Sequence, residues 1–279
     1  MSLVFHCRNR VLVLDRPVIM GILNITPDSF FDGGRYAVLD CALAHASEML
    51  AQGAEIIDVG GESTRPGSMP VSSSEQIDRI LPVVEAIICN FPKALISIDT
   101  SDPLVMAAAI KCGAHIINDV CALSAKGAIE LIAQTEVGVC LMHMQGRPHD
   151  MQAKPSYADV LNEVSSFLEA RTEACILAGI APHRIMIDPG IGFGKSLEHN
   201  LALLNHLDHF LPLGFPVLVG ASRKSMIGQV LNSAPSDRLY GSLGAHVVGV
   251  MRGARVIRAH DVKETKDAID MAFAIISVG

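Results

Sequence analysis

Carboxylate and amide side chains end several short apolar runs in this 279-residue chain. IMGILN ends in Asn24, LISID in Asp99, HIIND in Asn118 and Asp119, and RIMID in Asp188. A strand that simply stops where polarity begins explains one or two such cases, but not polar groups directly after four runs. Because parallel α/β enzymes build their active sites at the C-terminal ends of strands, the pattern predicts a polar ligand site there.

Basic and hydroxyl side chains follow the last two apolar runs. VLVGAS continues to Ser222 and Lys224, and RVIRAH contains Arg258 and His260. Arg258 and His260 are two positions apart, so on one strand their side chains leave the same face. The whole chain carries a net charge of −7, so an anionic ligand would need a local basic cluster of this kind.

Two loop segments are rich in Gly, Pro and Ser. ITPDSFFDGGRY follows Asn24, and VGGESTRPGSMP follows Asp58. Long loops after strands often act as lids, although a plain surface connection is the alternative. Phe30 and Phe31 favour the lid, because exposed aromatic rings need a ligand or partner to cover them.

The apolar runs predict the fold. Near-continuous apolarity without alternation is typical of parallel strands covered on both faces. Eight such runs alternate with helical stretches, which indicates either a closed barrel or a doubly wound sheet. No Gly-x-Gly-x-x-Gly motif opens the first helix, so we predict an α/β, (β/α)₈ TIM barrel over residues 1–279 as a single domain. We expect residues 1–14 to pack across the barrel bottom. The predicted strands are Val18–Asn24, Glu55–Gly60, Leu95–Asp99, His115–Asn118, Val137–His143, Arg184–Asp188, Pro216–Gly220 and Arg255–His260.

Four helices are predicted from apolar spacing and terminal residues. They are Val38–Gln52 before Gly53, Ser74–Cys89 with Ser74 as its cap, Pro103–Cys112 between Asp102 and Gly113, and Tyr157–Ala178 before Gly179. Ser and Asp cap helix N-termini, Pro fits the first turn, and Gly fits the residue after the last turn.

Composition narrows the class of protein. The longest apolar runs fall short of the roughly 18 residues needed to cross a bilayer, and the N-terminus lacks a signal core. The acidic balance argues against nucleic acid as a partner. Seven cysteines without a Cys-x-x-Cys pair argue against disulfides or a zinc site. We therefore expect a cytoplasmic protein with reduced, mostly buried thiols.

Eight ordered segments resemble the motifs of bacterial dihydropteroate synthases. They run from Met20 to Thr265 and read MGILNITPDSF, DVGGESTRPG, ISIDT, AHIINDV, LMHMQG, IDPGIGFGK, VGASRKSMIG and IRAHDVKET. The resemblance implies the same barrel, a Mg²⁺ ion and a homodimer. It also implies synthesis of 7,8-dihydropteroate from 6-hydroxymethyl-7,8-dihydropterin pyrophosphate and p-aminobenzoate, a step of folate biosynthesis that sulfonamides inhibit.

The resemblance also assigns a pterin pocket. A carboxylate such as Asp188 can accept two N–H groups of the guanidine-like pterin edge, while Asn118 can both donate and accept. Lys224 would bring a cation near a ring nitrogen or oxygen. Met142 and Phe193 would wall the ring, although a buried Met is common in an ordinary core. The implied pterin residues are Asp99, Asn118, Met142, Asp188, Phe193, Gly220 and Lys224.

The pyrophosphate is assigned by the resemblance to Asn24, Thr64, Arg258 and His260, with Mg²⁺ held by Asn24. Mg²⁺ prefers oxygen ligands and retains waters, so one amide oxygen plus substrate phosphates is a sensible set. A forked guanidinium beside a histidine suits a phosphate clamp. His260 alone could instead be a strand-end cap.

The p-aminobenzoate site is implied to lie among Phe30, Thr64, Arg65, Pro66 and Ser222, with Lys224 nearby. Ser222 is predicted at a helix start, where free backbone N–H groups favour a carboxylate. An ordinary helix cap is compatible with the same position.

The chemistry of these substrates leads to the hypothesis of a dissociative reaction. Pyrophosphate would leave first, and Asp32 and Asp99 would stabilise the cation on the pterin methylene. Lys224 and Arg258 complete the predicted catalytic set, and Mg²⁺, Arg258 and His260 would stabilise the departing charge.

Three residues depart from the family pattern. Phe31 stands where a small residue is expected, and Arg147 and His149 stand where the family often has Thr-Pro. Two alternatives remain: a methyltetrahydrofolate methyltransferase-like enzyme, and an inert pterin-binding paralogue. The Ser63–Pro66 loop and the Arg258–His260 clamp argue against the first, because a methyl donor has no pyrophosphate.

Overall fold

The computed structural model describes residues 3–25, 34–62, 71–147 and 150–278. Within these residues, short runs of the sequence form ten strands. The first two strands make an antiparallel hairpin, and the other eight are parallel. The strands are β1 (Val4–Cys7), β2 (Arg10–Val13), β3 (Val18–Asn24), β4 (Ile56–Gly60), β5 (Leu95–Asp99), β6 (Ile116–Asp119), β7 (Gly138–Met142), β8 (Ile185–Asp188), β9 (Leu218–Val219) and β10 (Val256–Ala259).

The parallel strands close into a barrel. Their order in the sheet is β8-β7-β6-β5-β4-β3-β10-β9. The first and last of these strands meet through an isolated parallel bridge between Ile187 and Val217. The backbone N–H of Ile187 also donates to the carbonyl of Pro216 at 2.9 Å. The predicted (β/α)₈ barrel is confirmed.

Helices connect successive barrel strands on the outside. They are α1 (Gly34–Ala51), α2 (Ser73–Asn90), α3 (Pro103–Cys112), α4 (Ala128–Ala133), α5 (Val160–Leu177), α6 (Leu197–Asn205), α7 (Ser225–Leu231), α8 (Leu239–Met251) and α9 (Val262–Ile276). Within the described residues, no helix combines the length and apolarity required to pass through a bilayer.

The helix-end predictions are confirmed in part. Helix α3 is capped by the Asp102 carboxylate, which accepts from the N–H of Leu104 at 2.8 Å, and it ends at Gly113 with a positive φ of 117°. The expected Ser74 cap of α2 is wrong. Ser72 holds that position and accepts from the N–H of Glu75, because the helix begins one residue earlier than the apolar spacing indicates.

The other two helix predictions differ mainly at their starts. Helix α1 begins at Gly34 rather than Val38, and α5 begins at Val160 rather than Tyr157. In α5 the Asp159 carboxylate accepts from the N–H groups of Leu161 and Asn162, so the capping side chain sets the boundary. The thiols are less buried than expected, since Cys41 and Cys89 are exposed.

Alternation along the strands separates two apolar layers. Residues such as Ile57, Ile98 and Ile187 belong to the larger buried cluster, which the helices cover. Their neighbours Ile56 and Met186 belong to a second cluster inside the barrel. The inward positions nearer the C-terminal ends of the strands include Asp58, Ser97, Asn118 and Asp188, so the barrel interior becomes more polar along its axis.

The N-terminal hairpin closes the apolar end of the barrel, as predicted. Phe5 and Leu14 are fully buried in the interior cluster. A methyl group at Gly138 would collide with the Phe5 ring, so that glycine leaves room for the aromatic plug. The hairpin turn is also tied down, because the Arg8 guanidinium donates to the carbonyl of Ile110 at 3.1 Å.

We expect Phe5→Ala to lower the free energy of unfolding by about 3–5 kcal/mol, because it opens a cavity beneath the barrel. Denaturant unfolding measures the change. Val11→Ala on the same hairpin is the control, since Val11 is 54% exposed, and its effect should stay within about 0.5 kcal/mol. Equal effects of the two variants would contradict the plug.

Candidate active site

Arg258 lies inside the barrel mouth and joins two carboxylates from neighbouring strands. Its Nε donates to Asp58 Oδ2 at 2.6 Å, and one terminal nitrogen donates to Asp99 Oδ2 at 2.7 Å. The two pairs are charge-assisted hydrogen bonds with largely desolvated partners, since the Asp58 side chain is 0% exposed and that of Asp99 is 9% exposed. The guanidinium therefore fixes the orientation of both carboxylates.

Asp58 is a site residue that the sequence reading did not assign. It points inward beside Ser97, its paired position on β5, and both side chains are fully buried. Asn118 Nδ2 donates to Asp58 Oδ2 at 3.2 Å. Among the described residues, Asp58 Oδ1 and the Ser97 hydroxyl have no hydrogen-bond partner. This incompletely neutralised group leaves negative potential beneath the mouth, which favours a ligand that develops positive charge.

Burial and charge repulsion allow one carboxyl group of this cluster to exchange a proton near neutral pH. Burial raises the pKa of Asp99 to about 7; Arg258 opposes the rise, and Asp58 adds to it. Burial alone would lower the pKa of Arg258, but the carboxylates of Asp58 and Asp99 outweigh it and raise that pKa. Arg258 is therefore a permanent cation, whereas Asp99 can exchange a proton.

Asp188 stands at the end of β8, beside Met142 at the end of β7, and both are buried. Asp188 Oδ1 accepts from the backbone N–H of Gly190 at 2.7 Å, while the Asp188 carbonyl accepts from the N–H of His143 at 3.0 Å. Burial raises the pKa of Asp188, and Lys224 opposes this shift most strongly. One carboxylate edge thus stays available to a ligand with N–H donors.

Lys224 approaches this carboxylate from the other side of the mouth. Its Nζ donates to the carbonyl of Ile191 and lies 4.4 Å from the centre of the Phe193 ring. A methyl group at Gly220 would lie 3.9 Å from Lys224 Nζ and 3.6 Å from Arg258 Cβ, so the glycine leaves room between the two basic side chains. Burial lowers the pKa of Lys224 to about 8, against the effect of Asp188.

Asn24 supplies an amide at the rim. A methyl group at Gly60 would lie 3.5 Å from Asn24 Oδ1 and 3.6 Å from Asp99 Cβ, so these side chains flank one small space. Within residues 3–25, 34–62, 71–147 and 150–278, no cluster of three His, Cys, Asp or Glu could hold a metal alone. A cation at Asn24 could take further oxygen ligands from water or from a substrate.

Ser222 and His260 form a pair at the same rim. His260 Nδ1 lies 3.0 Å from Ser222 Oγ, and the backbone N–H of His260 donates to that hydroxyl at 3.2 Å. The predicted helix start at Ser222 is wrong, because α7 begins at Ser225 with Lys224 in the capping position. His260 likewise lies one residue beyond β10.

The comparisons with known proteins agree with one another. The family model described as pterin binding enzyme matches residues 20–260. The dihydropteroate synthase of Escherichia coli K12 is 53% identical over 266 residues, covering 95% of this chain and 94% of that protein. That of Neisseria meningitidis MC58 is 50% identical over 264 residues, with 92% of each covered. The chain belongs to the dihydropteroate synthase family.

Solved structures of dihydropteroate synthases share the whole fold. The Yersinia pestis enzyme, solved with a sulfonamide drug complex, has a TM-score of 0.93 and 48% identity and covers 99% of this chain and 100% of its own. The Xanthomonas albilineans enzyme with 4-aminobenzoic acid has a TM-score of 0.94 and 44% identity, with 100% of both chains covered. The resemblance inferred from the ordered motifs is confirmed.

Several residues that the dihydropteroate synthase motifs single out lie outside the described part of the chain. They are Phe30, Phe31, Asp32, Thr64, Arg65, Pro66 and His149. Of the other departures, Arg147 is exposed, and its backbone N–H donates to Asp150 Oδ1 at 2.8 Å. The structure brings the remaining predicted residues to one barrel mouth, while their individual roles stay predictions.

The proton on Asp99 should make stability depend on pH. The folded-state pKa of about 7 exceeds the ordinary value of 3.8, so the folded protein binds more protons between these values. Stability should therefore fall as pH rises from about 4 to about 7. Asp99→Asn removes this titration, so unfolding free energies measured across that window should show the variant gaining stability relative to wild type. Parallel curves would contradict the shifted pKa of Asp99.

Proposed function

We propose that this chain transfers the 7,8-dihydropterin-6-ylmethyl group from its pyrophosphate ester to p-aminobenzoate, giving 7,8-dihydropteroate and pyrophosphate in folate biosynthesis. The observation that carries the proposal is the convergence of Asp58, Asp99, Asn118, Arg258 and their neighbours at one barrel mouth. A relative from Xanthomonas albilineans, 39% identical with a TM-score of 0.88, has been solved in complex with 7,8-dihydropteroate.

The pterin binds through its hydrogen-bonding edge. Asp188 is buried and has a free carboxylate edge for two ring N–H donors, while Asn118 can donate and accept. An analogue that lacks this edge would leave buried polar groups unpaired, at about 1–3 kcal/mol each. Met142 and Phe193 provide the flat apolar contacts to the ring.

The pyrophosphate lies at the rim, beside the pair formed by His260 and Ser222. Arg258 contributes positive potential from below, although its described bonds go to Asp58 and Asp99. Phosphate oxygens are stabilised by fixed donors of this kind as negative charge develops on the leaving group.

Mg²⁺ fits the rim as part of this proposal. Asn24 presents its amide oxygen to the small space beside Gly60, and the substrate would add phosphate oxygens. When bound, Mg²⁺ neutralises charge on the pyrophosphate. Thr64 would join the same subsite from the second loop.

The chain's residues favour a dissociative reaction. The bond from the methylene carbon to oxygen breaks, and its electron pair leaves with pyrophosphate. Asp99 and Asp58 lie beneath the mouth and stabilise the cation delocalised into the ring, with Asp32 acting from the first loop. The amine nitrogen of p-aminobenzoate then bonds to the methylene carbon and loses a proton. Positioning and electrostatics supply the catalysis.

p-Aminobenzoate binds beside Ser222. Ser222 is buried and its hydroxyl is held by His260, so it presents a fixed donor or acceptor at the rim. Phe30, Arg65 and Pro66 would cover the aromatic ring from the loops.

We also propose that the protein is a cytoplasmic homodimer. Helix α8 carries an exposed stripe at helical spacing made of Tyr240, Gly244, Val248 and Met251, and α7 adds exposed Val230 and Leu231. Contiguous apolar surface of this kind marks a protein interface in many proteins.

Turnover tests the function directly. We expect Mg²⁺-dependent release of pyrophosphate, coupled to dihydropteroate formation, which a metal chelator abolishes and Mg²⁺ restores. Lys224→Ala should lower kcat/KM by roughly 100- to 1000-fold, because it removes a cation at the reacting centre. Lys263→Ala on the outer helix α9 is the control, since the Lys263 side chain is 58% exposed. Pterin binding without turnover by the wild type would indicate an inert paralogue.

Mass measurement tests the dimer. We expect light scattering to give twice the mass of 29.7 kDa for the wild type. Met251→Asp should shift the protein toward the monomer, because it buries a charge in the interface. Leu104→Asp on α3 is the control, since Leu104 is 66% exposed and far along the barrel wall. A wild-type monomer, or dissociation by Leu104→Asp alone, would rule out this interface.

A further inference from the structure

Two loops at the barrel mouth are joined backbone to backbone. Residues 143–147 follow β7, and residues 189–196 follow β8. A methyl group at Gly190 would collide with the His143 carbonyl, and one at Gly194 would collide with the Gln145 carbonyl. Both glycines have positive φ, of 72° and 62°. Only glycine allows this close approach of the two backbones, so the contact requires glycine at both positions.

Lys195 lies in the contact between these loops. Its Nζ lies 2.9 Å from His143 Nδ1 and donates to the Phe193 carbonyl at 3.0 Å and to the His143 carbonyl at 3.3 Å. The residue is 2% exposed. Burial lowers the pKa of His143 to about 3, so its ring is neutral and Nδ1 can accept from the ammonium.

The two residues that bond to the Lys195 amine, His143 and Phe193, lie next to the proposed pterin pocket or in it. Phe193 is the ring beneath Lys224, and His143 follows Met142 and donates its backbone N–H to the Asp188 carbonyl. One ammonium thus connects the two chain segments that carry the apolar walls and the carboxylate of the pocket.

An amine is a costly choice for a purely structural contact. Within the described residues, Lys195 donates to neutral acceptors and forms no ion pair with a carboxylate. Burial lowers the pKa of Lys195 to about 7; Asp188 opposes this shift, and Lys224 adds to it. An apolar residue of similar volume would avoid this desolvation, so a role in the fold alone does not account for the lysine.

We infer that Lys195 is a positioning residue for the pterin half of the site, holding the loops after β7 and β8 so that Phe193, Met142 and Asp188 face the ring together. The inference deepens the proposed function and rests on it. A displacement of about 1 Å at such a pocket can reduce activity roughly 100-fold, so a residue outside direct contact can matter to binding.

Lys195→Met tests the inference, because methionine keeps most of the length of the side chain and removes its hydrogen-bond donors. We expect the Kd and the KM for 6-hydroxymethyl-7,8-dihydropterin pyrophosphate to rise roughly 10- to 100-fold. The KM for p-aminobenzoate at saturating pterin should stay within about threefold. The thermal midpoint should be unchanged or higher, because a buried amine with a lowered pKa has been removed.

Two further variants separate positioning from general loop damage. His143→Leu removes the imidazole partner and should give a similar loss, with the double variant losing little more than either single variant. Tyr157→Phe removes another bond to the same loop, since Tyr157 Oη donates to the Gly194 carbonyl at 2.8 Å, and it serves as the matched control. An equal loss from Tyr157→Phe would overturn the assignment to Lys195.

The outcomes distinguish the two proposals. A wild-type protein that does not bind the pterin substrate overturns the proposed function and the inference together. Wild-type binding with unchanged binding by Lys195→Met overturns only the inference. A lowered thermal midpoint with equal losses for both substrates would show a structural role and would also overturn it.

Discussion

The guanidinium of Arg258 is the interaction on which the polar half of the barrel depends. Two buried carboxylates, Asp58 and Asp99, share it at hydrogen-bonding distance. Without a cation, carboxylates so far from water would take up protons or destabilise the fold by several kcal/mol. The remaining electrostatics follow from this pairing, because one guanidinium cannot fully neutralise two carboxylates with Asp188 nearby. The mouth is thus prepared for a ligand that becomes positively charged during reaction.

The two ends of the barrel interior have different roles: the apolar end stabilises the fold, and the polar end carries the candidate active site. Phe5 and the apolar layer above it provide a dry, closely packed end. The polar residues occupy the next inward positions of the same strands, so rigid backbone hydrogen bonds hold them in place. Groups that are costly to bury can be kept at the mouth because the other end supplies the packing.

Much of this arrangement could be predicted from the sequence. The apolar runs predict all eight barrel strands, and polar residues at their ends predict Asp99, Asn118 and Asp188 at one face. The pattern does not single out Asp58, because Asp58 lies two residues before the end of β4 rather than at the end of the strand. Asp58 and Gly60 are two positions apart on one strand, so their side-chain positions share a face. This spacing is the sequence signal that Asp58 faces the barrel interior.

Other features depend on distances that no local pattern encodes. The seating of Lys195 between two loops requires the approach of chain segments about fifty residues apart, seen in the bond from Lys195 to His143. Serine is common at helix caps, so the sequence predicts a helix start at Ser222, but the Ser222 hydroxyl bonds to His260 and α7 begins at Ser225. In each case a tertiary contact overrides the local preference.

The shortness of β9 has a consequence for how the molecule moves. This strand has only two residues, and the β8 side of the barrel reaches it through one isolated bridge at Ile187. Local unfolding begins where a structure has the fewest hydrogen bonds, so we expect the barrel wall to open transiently at β9 first. Asp188 is the next residue along β8, so transient opening of the wall at this point would change how long a ligand stays bound.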